Sequence, residues 1–198
     1  MIVPRNETMY VYLCTINKCC IVMSVCVEGL IRNDFYSVDN IEAVEAELNR
    51  TSQILNDYFH LEGEDRYLPY GLDCGDYQVY SETHHMYRMF LRKGYWHISP
   101  AYKYHLLFSP PLFVRKGFYD IAKALGKAEI WYCDEFRLDN SGDSNWDYDS
   151  QSFEEWLEYI GSTYGPIKEF PIEEIMSNNE IWPKVEPVYH DCFKDISF

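Results

Sequence analysis

The chain is poor in basic side chains: 17 lysines and arginines stand against 32 aspartates and glutamates, giving a formal charge of −15 over 198 residues. A field of that sign repels phosphate backbones and anionic lipid headgroups, which excludes nucleic acid and membrane surfaces as general partners. Long apolar runs are also lacking. The longest, residues 19–27, follows Lys18 and is closed by Glu28, well short of the roughly 20 residues a membrane-spanning helix needs. It has the form of a signal-peptide core, but a core strand is the preferred reading. No Cys-x-x-Cys pair, P-loop, dinucleotide-binding glycine fingerprint, Gly-x-Ser-x-Gly elbow or His-Glu-x-x-His pair occurs, so no local catalytic or metal signature is available.

Seven cysteines are present, at positions 14, 19, 20, 26, 74, 133 and 192. The odd number, and the placing of five in or beside apolar runs, point to reduced thiols used as small hydrophobes, and so to a cytoplasmic protein with neither a disulfide framework nor a structural zinc. Hydrophobic residues make up 47% and aromatics 17% of the chain, enough to form a core and exclude global disorder. One domain over 1–198 is expected.

Residues 9–16 and 19–27 read as a hairpin of two apolar strands turning at Asn17 and Lys18. Residues 39–59 have the spacing of an amphipathic helix that buries Ile41, Val44, Leu48 and Leu55, with Asp39 as its cap and Glu42 three residues on. Residues 61–76 form a loop anchored by Tyr67, Leu68, Tyr70 and Leu72. Strands follow at 77–80, 86–92, 95–98 and 102–108. Ser109, Pro110 and Pro111 start a second helix with Val114, Phe118, Ile121 and Leu125 on its apolar stripe and Gly126 as its stop. A strand at 128–136 precedes a polar loop, 139–149. Ser152 and Glu155 cap a third helix that buries Phe153, Trp156, Leu157 and Ile160. The prolines beyond Gly165 permit only short surface turns, so 164–198 is expected to be irregular. The fold class is α+β, a mostly antiparallel sheet packed against about three helices.

Charge is uneven: residues 86–127 carry eight basic and one acidic side chains, and residues 134–158 one basic and nine acidic. The aromatics interleaved with Arg88, Arg92, Lys93 and Lys103 suit single-strand nucleic-acid binding, but a solvated strand face over an aromatic core explains them more simply. Cys74 lies between Asp73 and Asp76, which oppose thiolate formation, so a turn cysteine is preferred to a nucleophile. Asp143, Asn145, Asp147, Asp149 and Glu154 follow the spacing of a calcium loop, but Tyr148 replaces the turn glycine and tight calcium binding is not expected.

No catalytic residue, metal or cofactor is assigned. The expected function is that of an acidic protein-binding module, a small inhibitor that neutralises a basic partner such as a toxin domain. Its contact surface is placed at Asp139, Asp143, Asp147, Asp149 and Glu154, with Trp146 and Tyr148 as aromatic anchors. In composition alone the chain resembles bacterial immunity proteins, which are commonly acidic, aromatic-rich and free of motifs. Two alternatives remain open. One is a hydrolase, metal-dependent or His/Asp-based, drawing on His84, His97, His105, Asp134 and Glu135. The other is an oligomeric structural subunit marked by exposed aromatics.

Overall fold

Glu28 does not end a strand; it lies inside the one on which the whole sheet is centred. A computed structural model describes residues 27–81, 87–100, 111–134, 151–172 and 188–196, without the side chains of 100, 111–114 and 134. The expected hairpin before Val27 and the expected strand 102–108 lie outside these residues. Strand β1 (Val27–Arg32) alternates strictly, sending Ile31 into one core and Leu30 into another, with Glu28 buried on Leu30's side. The expectation treated a carboxylate as a terminator. Here its burial is made possible by a partner on the neighbouring strand, a feature invisible in local hydropathy.

The remaining strands are β2 (Leu68–Tyr70), β3 (Gln78–Tyr80), β4 (Tyr87–Arg92), β5 (Tyr95–Pro100), β6 (Ile130–Asp134), β7 (Lys168–Glu169) and β8 (Tyr189–Asp191), and the sheet order is β2-β3-β4-β5-β1-β6-β8-β7. Every pair is antiparallel except β7 with β8. The chain is thus α+β, with eight strands in one mixed sheet and three helices among the described residues. Helices α1 (Ile41–Phe59) and α2 (Pro111–Ala124) pack on the Ile31 face, and α3 (Phe153–Tyr164) covers part of the Leu30 face. Gly29 permits the α2 contact, since a Cβ there would come within 2.8 Å of Ile130 and 2.9 Å of Phe118.

In α1 the N-cap is Asn40 rather than Asp39, its Oδ1 accepting from the Ala43 N–H at 3.1 Å. Val44, Leu48 and Leu55 are buried as expected, whereas Ile41, the first helical residue, is 47% exposed. The buried stripe begins one turn later and is completed by polar residues. Of these, Asn56 takes the Tyr67 N–H at 2.7 Å and donates to the Tyr67 carbonyl at 3.0 Å. Tyr67 therefore anchors the loop, but Leu68 and Tyr70 point outward from β2. Leu48→Ala should lose about 2–5 kcal/mol of stability, and Ile41→Ala should stay within about 0.5 kcal/mol of wild type. Chemical denaturation of the two variants checks this; comparable losses would mean the buried face is drawn wrongly.

Helix α3 has the capping box foreseen: Glu155 N–H donates to Ser152 Oγ at 3.3 Å, and Ser152 N–H to Glu155 Oε2 at 2.6 Å. The C-terminal segment departs from expectation, because β7 and β8 extend the sheet and bring Tyr189, Asp191 and Phe193 inside. A buried ion cluster holds it there. The Arg115 guanidinium of α2, 3% exposed, binds Asp191 at 2.6 and 2.9 Å and Asp195 at 2.6 and 2.8 Å, between the rings of Phe170 and Phe193. Tyr132 Oη donates to Asp191 at 3.0 Å, and so does the Phe193 N–H at 2.8 Å.

Candidate functional site

Of the expected contact surface only Glu154 is described; Asp139, Asp143, Trp146, Asp147, Tyr148 and Asp149 lie outside the described residues. Glu154 sits in the first turn of α3, half-exposed, 3.7 Å from the Arg32 guanidinium and accepting from Tyr36 Oη at 3.3 Å. Burial, followed by the Glu154 charge, raises the Tyr36 pKa. Glu154 therefore borders the exposed Tyr36, just beyond the end of β1.

The described surface also carries an acidic, aromatic patch that the sequence reading took for a buried anchor. On β2, Leu68 is 57% and Tyr70 62% exposed, both on the same side of the strand. Residues 61–76 hold five acidic side chains and one basic, and Glu62, Glu64, Asp65 and Asp73 are exposed. Ser81 Oγ, bonded to the Asp65 carbonyl at 2.9 Å, ties the short turn Gly63–Asp65 to the end of β3, whose Tyr80 faces Leu68. Beside it a groove of about 420 Å³ is lined by Gln53, Asn56, Asp57, His60, Glu62 and Arg66, among others.

Strand β2 lies at one edge of the sheet among the described residues. Pro69, opposite Val79, has no N–H and can pair antiparallel only where that missing donor points away from β3. The outward edge of this strand consequently presents no donor for another strand, so recognition here falls to the side chains of Leu68 and Tyr70.

Of the residues named for a hydrolase, only His97 has a described side chain. Its Nε2 lies 2.8 Å from Glu28 Oε2, both groups being buried, and Ser99 Oγ donates to Glu28 Oε1 at 3.2 Å. Phe90 stacks on the imidazole at 5.3 Å. The pair bridges β1 and β5 beneath the surface. Two of the basic strand residues lie over aromatic rings, Arg88 over Tyr80 and Arg92 over Phe90. Cys74 bonds the Gly71 carbonyl through its thiol, as a turn cysteine does, and no disulfide joins Cys74, Cys133 or Cys192.

A second cluster escaped the sequence reading. Glu129, just before β6, and His190 and Cys192, on and after β8, bring a carboxylate, an imidazole and a thiol together. His190 Nε2 lies 2.9 Å from Glu129 Oε2 and 3.6 Å from Cys192 Sγ, and the ring stacks on Trp131 at 4.4 Å and 13°. Burial, then the Glu129 charge, raises the Cys192 pKa. His-x-Cys on a strand puts both side chains on one face and was legible; Glu129, 61 residues from His190, was not.

No family model, curated protein or solved structure matches the chain. Among the described residues no helix is long and apolar enough to cross a membrane.

Proposed function

We propose that the protein is an acidic protein-binding module, an inhibitor or immunity-type protein of the cytoplasm, and that the β2 patch is a contact surface for a basic partner. The observation that carries this reading is the exposure of Leu68 and Tyr70 on an edge strand bracketed by acidic turns. Large apolar side chains inside a charged rim are the composition of an interface hot spot, and a net charge of −15 attracts a basic protein over distance. The loop 139–149 and Glu154 share this acidic, aromatic composition in the sequence.

The test is affinity capture from the native host, with the recovered protein purified and its binding kinetics measured. A basic partner is expected. Tyr70→Ala should speed dissociation about 30-fold or more, the effect of losing a hot spot worth about 2 kcal/mol. Asp65→Asn with Asp73→Asn should slow association and flatten its salt dependence. A neutral or acidic partner, or unchanged kinetics in both variants, would remove the β2 patch from the interface.

A further inference from the structure

We infer that Glu129, His190 and Cys192 form a binding site for one divalent transition-metal ion of the zinc type. The donor set is the first ground. Imidazole and thiolate select such ions, and three protein ligands with one open position is the arrangement of zinc sites that keep a water or substrate. Spacing is the second. A tetrahedral ion bound at ordinary Zn–N, Zn–S and Zn–O lengths sets its ligand atoms roughly 3.4–3.6 Å apart. The observed nitrogen–sulfur separation is 3.6 Å, so these two ligands already stand at the required distance. The nitrogen–oxygen separation, 2.9 Å, must open by roughly 0.5 Å, which the partly exposed Glu129 can provide.

Orientation is the third ground. His190 is held flat against the Trp131 indole, and its strand neighbour Asp191 is locked by Arg115, so the imidazole is fixed before any ion arrives. A cysteine–histidine–carboxylate catalytic relay needs the acid and the thiol on opposite ring nitrogens, so that one orients the ring while the other exchanges a proton. Here the carboxylate and the nearer thiol contact both address Nε2, with the thiol 4.0 Å from Nδ1. Convergence on one nitrogen suits a shared ion and not a relay. Nearby, Lys194 pairs with Glu169 at 2.7 Å.

The full chain, reduced and stripped by chelator, is titrated with Co²⁺ as a spectroscopic stand-in and then with Zn²⁺. One equivalent of cobalt should bind with thiolate-to-cobalt charge-transfer absorption and tetrahedral visible bands, and zinc should displace it. Cys192→Ser should abolish the charge-transfer band, and His190→Gln and Glu129→Gln should each weaken binding at least about tenfold, since loss of even an outer-shell partner costs that much. Absence of the band in the wild type, its persistence in Cys192→Ser, or failure of zinc to compete would overturn the site. Should Cys192→Ser not fold, Glu129→Gln decides, because that side chain is 44% exposed and contributes little to packing; unchanged cobalt affinity there would sink the assignment.

Discussion

Arg115→Ala is expected to cost about 3–5 kcal/mol of stability, the penalty for removing one partner of a buried charged pair. The substitution strands Asp191, itself 3% exposed, without a counter-charge, and it removes the group that binds the C-terminal segment to α2. Burial pulls the Arg115 pKa down, but its hydrogen bonds to Asp191 and Asp195 outweigh it and hold the guanidinium charged. A hydrophobic replacement of both partners, Arg115→Met with Asp191→Leu, leaves no buried charge unpaired but strands the Tyr132 hydroxyl and the Phe193 N–H, so it should recover at most part of the loss. A pH arm identifies the cause. The hydrogen bond from Arg115 holds the Asp195 carboxyl below its ordinary value of 3.8. Its stabilising contribution is therefore present above that value and is lost as the pH falls through the depressed one, and Arg115→Ala should lack this acid-range loss. Urea unfolding at neutral and acid pH measures both, and a neutral-pH loss under about 1 kcal/mol would mean that water reaches the cluster.

Trp156→Ala should cost about 3–5 kcal/mol, as expected for deleting a fully buried indole from the face of the sheet that α3 covers. Its ring stacks on Phe153 at 5.8 Å, and Phe153 in turn meets Trp131 and Tyr95. The indole N–H is buried without a hydrogen-bond partner among the described residues. Trp156→Phe removes that uncompensated donor along with some volume, so it should cost no more than about 1.5 kcal/mol. Thermal and denaturant unfolding of the two variants separate the effects. Equal losses would show that the N–H carries a bond after all.

What could be read beforehand follows from how far apart the interacting groups lie. The Ser152 and Glu155 box, the Gly126 stop and the strands on either side of Gly94 depend on residues within a few positions of one another, and each is where the sequence placed it. Strand β1 was cut short at Glu28 because its partner His97 is 69 residues away. The tail was read as surface turns because three-residue β8 follows Pro187, and the burial of Asp191 depends on an arginine 76 residues distant. In the site, the acidic rim of 61–76 was visible as composition. That Tyr67 turns inward while Leu68 and Tyr70 turn outward is decided by Asn56 and by the pleat of β2, which hydropathy cannot distinguish.

The central place of β1 bears on how the chain is made. It lies between β5 and β6, the first of which begins at Tyr95 and the second of which ends at Asp134. At ribosomal speeds of 5–20 residues per second, roughly 100 further residues, or about 5–20 s of synthesis, separate the emergence of β1 from that of its second neighbour. Throughout that interval Leu30 and Ile31 wait with one or both flanks of their strand open. The nascent chain therefore passes through its most adhesive state early, and its yield in cells should depend on chaperone supply and translation rate more than the stability of the finished sheet would indicate.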